Sequence, residues 1–105
     1  MAEPDLFRAL ADPTRRRVFE RLAGEGELTV VALTRDAGVS QPAVSQHLAV
    51  LKAAGLVGER REGRCVHYRA RPAALRPLVD WIAHYSAFWP ESFDKLETLL
   101  REMDQ

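Results

Sequence analysis

The apolar positions of this chain change period along its length, from that of helices to that of strands and back. The clearest helical stretch lies within AGVSQPAVSQHLAVLKAAGLV, residues 37–57. There Val44, Leu48 and Leu51 recur at i, i+4 and i+7 and share one face. Ser40 is placed to cap the N-terminus of that helix, and Pro42 falls in the first turn, where a missing N–H costs nothing. Gly55 is placed to end it. Upstream, LTVVALTRDA (28–37) predicts a shorter amphipathic helix capped by Thr29, with Val30, Leu33 and Ala37 facing inward. From Leu56 the period shortens to two. LVGERREGRCVHYRA predicts two short strands about a Glu62–Gly63 turn, with Val57, Val66 and Tyr68 inward.

The flanks are helical as well. EPDLFRAL (3–10) predicts a short helix with Leu6, Phe7 and Leu10 on its apolar side. Asp12 and Pro13 then cap and open a second helix, with Val18, Phe19 and Leu22 inward and Gly24 and Gly26 at its end. Arg15, Arg16 and Arg17 crowd the first turn of this helix, where the dipole disfavours cations. A solvated basic face is the expectation for them, ahead of contact with a DNA backbone or an intersubunit ion pair. Residues 72–105 predict one long amphipathic helix or two, kinked or broken at Pro90. The stripe there includes Trp81, Ile82, Tyr85, Phe88 and Trp89, more apolar surface than one small domain covers. Dimerisation through these residues and the first helix is the expected cover. A ligand pocket lined by Trp81, Tyr85, Phe88 and Trp89 is the alternative.

The polar side of the 41–53 helix carries the chemistry. Gln41, Ser45, Gln46, Ala49 and Lys52 oppose the apolar stripe, and none is acidic. Amides and hydroxyls both donate and accept, which suits base edges in a major groove, whereas a carboxylate would be repelled by phosphate. Two helices joined across Gly38 and Val39 form a helix-turn-helix, and the hairpin that follows reads as a wing. Arg60, Arg61, Arg64 and Arg69 stand on that hairpin and suit phosphates.

The stretches ALADPTRRRVFERLA (9–23), ELTVVAL (27–33), GVSQPAVSQHLAVLKAAGLV (38–57) and REGRCVHYRA (61–70) together resemble the ArsR/SmtB-type winged helix-turn-helix repressors of bacteria. The resemblance implies a mainly α fold with a small β-hairpin, in the order α-α-α-α-β-β-α, ending in a long dimerisation helix. It implies a single domain over 1–105, with dimerisation helices at 1–11 and 72–105, the helix-turn-helix at 28–55 and the wing at 56–70. It also implies a homodimeric repressor on an inverted-repeat operator. Ser40, Gln41, Pro42, Ser45, Gln46, His47, Lys52, Arg60, Arg61 and Arg64 are the candidate DNA contacts, with Gln41, Ser45 and Gln46 on base edges. Leu6, Phe7, Leu10, Trp81, Ile82, Tyr85, Phe88 and Trp89 are the candidate dimer interface.

Metal-sensing relatives carry an ELCVCDL-type motif where this chain has Thr29 and Val31 in place of the two thiolates and Ala32 in place of the acid. A second family site uses a D-x-H…H-x-x-E pattern, but Asp80 is followed by Trp81 and Ile82, and His84 stands without the other histidine. No metal, and no other cofactor, is expected at either site. Cys65 and His67 share a strand face. Two ligands do not make a zinc site, which leaves thiol oxidation as an alternative input beside an apolar ligand, or none.

Composition adjusts this picture in three places. At 105 residues and 47% hydrophobic the chain is one folded domain, small enough to gain from pairing. The single cysteine and the lack of a long apolar run lead to the expectation of a cytoplasmic protein with no membrane segment. The formal net charge is zero, yet residues 31–70 hold six basic groups against three acidic, and residues 71–105 hold four against six. The basic end is the DNA-facing end. No phosphate loop, nucleophile elbow or paired carboxylates in a pocket are present, so no enzyme is expected. A winged helix that binds protein rather than DNA is the reading from another class, and the basic wing argues against it.

Overall fold

A computed structural model describes the backbone of residues 2–86 and 90–103, and side chains over 5–85 and 97–103. In chain order the elements are α1 (Ala2–Ala11), α2 (Pro13–Glu25), β1 (Leu28–Thr29), α3 (Val30–Thr34), α4 (Gln41–Ala53), β2 (Val57–Glu62), β3 (Cys65–Ala70), a 3-10 turn (Pro72–Leu75), α5 (Arg76–Ser86) and α6 (Pro90–Met103). The strands form one antiparallel sheet in the order β1-β3-β2.

The core gathers Leu6 and Ala9 of α1, Val18, Phe19 and Leu22 of α2, Leu33 of α3, Val44, Leu48 and Leu51 of α4, and Leu56 and Val57. The α4 stripe of Val44, Leu48 and Leu51 is at 0% exposure, as is Leu56 just beyond the helix. Leu6 is 1% exposed, which corrects its place in a dimer interface: it is already spent on the chain's own core.

The caps anticipated for α2, α3 and α4 are formed. The side chains of Asp12, Thr29 and Ser40 accept from the backbone N–H of Arg15, Ala32 and Ala43 at 2.9, 3.2 and 3.3 Å. At the far end of α4, Gly55 N–H donates to Lys52 O and Leu56 N–H to Leu51 O, each at 2.9 Å. This pair of bonds is the Schellman closure, and it sets Leu56 on Leu51 in the core. Gly55 takes φ +78°, as that closure requires.

Three expectations are corrected. The helix anticipated over 28–37 is five residues long: it starts after its Thr29 cap but stops at Thr34, where Arg35 takes ψ 130° and Asp36 φ +62°. Leu28 and Thr29 also pair with Tyr68 and His67 of β3 as an extra strand. The hairpin turn is Gly63–Arg64 rather than Glu62–Gly63, since Glu62 pairs with Cys65. Positive φ at Gly63 alone of the two loop residues is the II′ arrangement, whose twist suits a two-residue hairpin. Gly24 lies within α2, which runs to Glu25 before Gly26 ends it. Of the one helix or two anticipated over 72–105, the described residues form two, α5 and α6, and Pro90 opens the second.

The arginines at the start of α2 have a structural employment that the sequence did not suggest. Arg15 Nε–H donates to Ala9 O at 2.7 Å and Nη2–H to Arg8 O at 3.4 Å, while Arg16 Nη1–H donates to Leu10 O at 2.9 Å. These carbonyls end α1 and have no partner within the helix. Arg21 does the same for α3, with Nη1 within 3.1 to 3.4 Å of the carbonyls of Ala32, Leu33 and Arg35. Arg71 N–H donates to Leu56 O at 2.7 Å, which closes the base of the hairpin.

Replacing Gly55 with Ala forces a Cβ into a left-handed conformation, at a cost of about 1–2 kcal/mol. Urea denaturation followed by helical circular dichroism is expected to show that loss with an unchanged slope.

Candidate nucleic-acid interface

Helix α4 hangs from its buried stripe and turns its other side outward. Gln41, Pro42, Ser45, Gln46, Ala49 and Lys52 are all exposed, as is Ser40 at the cap. Their side chains therefore project away from the core along one side of a rigid helix. Ser40 spends one lone pair on the Ala43 amide and keeps its O–H as a donor. His47 is half-buried, and its Nδ1 lies 3.4 Å from Arg15 Nη1. A guanidinium has no lone pair to offer, so that contact requires Nδ1 as acceptor and the imidazole proton on Nε2.

The strand register divides the wing into two faces. Val57, Glu59 and Arg61 lie opposite Ala70, Tyr68 and Val66, on the side that packs over α4. Gly58, Arg60 and Glu62 lie opposite Arg69, His67 and Cys65 on the outer side. Cys65 is exposed there, and His67 Nε2 lies 3.7 Å from Glu62. Among the described residues no three His, Cys, Asp or Glu come together as a metal site would need.

The cations of the helix and wing fall into two groups. Lys52 Nζ is 2.6 Å from Glu59 Oε1. Arg60 reaches Glu27 at 2.6 Å and Glu62 at 2.9 Å, so one guanidinium serves two carboxylates. Arg61, Arg64 and Arg69 make no ion pair among the described residues. The Arg60 guanidinium holds the carboxyls of Glu27 and Glu62 below the usual carboxylate range, and the Lys52 ammonium does the same for Glu59. Partial burial first, and the Glu59 charge second, push the Tyr68 hydroxyl up. Sequence reasoning chose the cations and missed these three acids. The strand order that lets Glu27 reach Arg60 across β3 is not visible in local spacing, although the flanking of Arg60 and Arg61 by Glu59 and Glu62 was a signal.

At the other end of the molecule, α1 packs on α5. Phe7 meets Trp81 edge-on with centroids 5.9 Å apart, and Trp81 meets Tyr85 at 4.9 Å. These rings are still open to solvent: Phe7 at 38%, Trp81 at 52%, Ile82 at 40% and Tyr85 at 41%. Leu10 is half-buried. Phe88 and Trp89 lie outside the described residues. The alternative of a ligand pocket lined by Trp81, Tyr85, Phe88 and Trp89 therefore lies partly outside the described residues. A cleft of about 400 Å³ lies elsewhere, between α2 and the α3–α4 turn, with Arg17, Val18, Arg21, Leu33 and Asp36 in its lining.

With this geometry in place, similarity to known proteins is informative. A family profile described as a helix-turn-helix domain matches residues 10–60. The chain is 46% identical over 87 residues to the arsenic resistance transcriptional regulator ArsR1 of Pseudomonas putida, covering 76% of this chain and 68% of that one. It is 45% identical over 99 residues to the arsenical resistance operon repressor of Escherichia coli, covering 93% of this chain and 81% of the other. Among solved structures, an ArsR-like transcriptional regulator from Rhodococcus sp. RHA1 superposes with a TM-score of 0.73 at 28% identity, over 93% of this chain and 92% of that one. No helix among the described residues is long and apolar enough to cross a membrane.

The three depressed acids make a direct test of the wing pairs. A carboxylate with a lowered folded-state pKa keeps its pair above its ordinary range and loses it as pH falls through the lowered value. Carbon-detected NMR titration is expected to place the midpoints of Glu27, Glu59 and Glu62 below the ordinary 4.5. Midpoints at or above that value would show the pairs open in solution.

Proposed function

The chain belongs to the ArsR/SmtB family of winged helix-turn-helix transcriptional regulators, and from that premise we propose that it represses transcription as a homodimer on an inverted-repeat operator, without a metal signal. The observation that carries the reading is the bare outer side of α4, which presents Gln41, Ser45 and Gln46 to solvent with no acid among them. Two such helices, one per protomer, enter successive major grooves on one side of the duplex. Gln41, Ser45 and Gln46 then read base edges, while Ser40, His47 and the α4 N-terminus sit against the backbone. Pro42 fixes the first turn that presents them. Arg61 and Arg64, free of ion pairs among the described residues, supply the wing's phosphate contacts, with Lys52 and Arg60 available once their carboxylates yield.

Pairing is supported by the aromatic surface left open on α1 and α5. Phe7, Trp81, Ile82 and Tyr85 form a contiguous, half-covered patch of the kind that a second copy covers. Absence of metal control is supported by residue chemistry. Thr29 spends its hydroxyl oxygen capping α3, and Val31 has no donor atom. Two relatives are named for arsenic resistance, and this chain lacks thiolates at the positions aligned with the family motif.

Gel-shift titration on the DNA upstream of the chain's own gene tests the reading. Gln41→Ala is expected to weaken that complex by about 1–3 kcal/mol and to leave binding to random duplex nearly unchanged. Equal loss on both would remove Gln41 from base reading. In sedimentation, the chain is expected to run as a dimer. Trp81→Glu is expected to raise the dimer dissociation constant by roughly thirtyfold or more, as loss of a central aromatic anchor does.

A further inference from the structure

Three carboxylates lie where a DNA-binding surface would be expected to avoid them. Glu59 is 2.6 Å from Lys52, at the last turn of α4, and Glu27 and Glu62 hold Arg60 from two sides at 2.6 and 2.9 Å. Exposed pairs of this kind add little to stability, so stability does not account for them. Their placement does have a consequence for binding. A carboxylate presents to Lys or Arg the same paired anionic oxygens that a phosphate does. A cation already held at 2.6 Å by such a group must leave it before it meets DNA.

We propose that Glu59, and Glu27 with Glu62, act as built-in competitors of the DNA backbone for Lys52 and Arg60, and so hold down the sequence-independent part of DNA affinity. The proposal rests on the reading of α4 and the wing as the DNA-binding surface. Without it, two of the basic groups placed there have no phosphate to lose. The described surface is therefore graded. Arg61, Arg64 and Arg69 meet an incoming duplex unpaired. Lys52 meets it neutralised by one acid and Arg60 outweighed by two, and each engages only by expelling an acid into the field of the phosphates. Attraction over a distance is weakened accordingly, because the Lys52–Glu59 pair cancels beyond a few ångströms and the Arg60 group is left net negative. A net charge of zero on the whole chain is consistent with this balance.

The arrangement lends itself to a test by near-isosteric change. Glu59→Gln keeps an oxygen that accepts from Lys52 and removes only the charge. Glu59→Gln, and separately the double variant Glu27→Gln with Glu62→Gln, are compared with the unmodified chain by fluorescence anisotropy. The probes are a short duplex of random sequence and the fragment upstream of the chain's own gene. Asp80→Asn, which removes an acid from the Arg76 pair on α5, controls for net charge alone. Thermal melting of each variant confirms that it folds.

Both wing variants are expected to bind both duplexes several-fold more tightly, and Asp80→Asn to gain markedly less. The gain is expected to shrink between about 50 and 200 mM salt, as electrostatic contributions do. Unchanged or weaker binding by folded wing variants, with the unmodified chain still binding its upstream fragment, overturns the proposal and leaves the acids a purely structural part. A gain by Asp80→Asn equal to that of Glu59→Gln overturns it as well. Failure of the unmodified chain to bind either duplex overturns the DNA-binding reading and this proposal with it.

Discussion

Val44, Leu48 and Leu51 are sealed from solvent, and the rest of the molecule follows from the need to seal them. A reading helix has to leave one side without partners. All of its attachment must then come from the other side, and three side chains at i, i+4 and i+7 supply it. Helices α1, α2 and α3 are the cover: Leu6, Ala9, Val18, Phe19, Leu22 and Leu33 close over that stripe from different directions. The polar side can be chosen for chemistry alone because nothing structural is asked of it.

Arginine is the second organising element, and most of its work in the helical part is internal. Short helices leave carbonyl ends without partners of their own. Arg15 and Arg16 take those of α1, and Arg21 takes those of α3. A planar fork with several donors can satisfy more than one carbonyl from a single position, which a lysine ammonium does less well. The abundance of arginine in this chain is therefore not a measure of its affinity for DNA. The arginines of the hairpin stand apart from such duties.

The legible parts of the sequence were those governed by local rules. Asp12, Thr29 and Ser40 each lie three residues before the amide they cap, and α4 carries its own start, period and stop. The hairpin was legible to within one residue, because the alternation does not say which of Glu62, Gly63 and Arg64 turn the chain. What could not be read depended on distant partners. Leu28 and Thr29 become a strand only because β3 passes beside them, some forty residues later in the chain. Leu6 and Phe7 are neighbours on an apolar helix face, and only the packing sends one into the core and leaves the other at the surface. The acids that hold Lys52 and Arg60 were present in the count of charges but could not be assigned partners before the sheet order was known.

The hydrogen bond between Arg71 N–H and Leu56 O has an evolutionary consequence. It fastens the chain where it enters the wing to the place where it leaves, so the intervening ribbon is a nearly closed loop tethered at one neck. Residues added or removed in pairs at its tip would lengthen or shorten the reach toward a neighbouring groove while the neck, and the helix joined to it, stay put. Descendants of this chain can thus retarget how far along a promoter they grasp by editing one hairpin, with the vocabulary of the reading helix left intact.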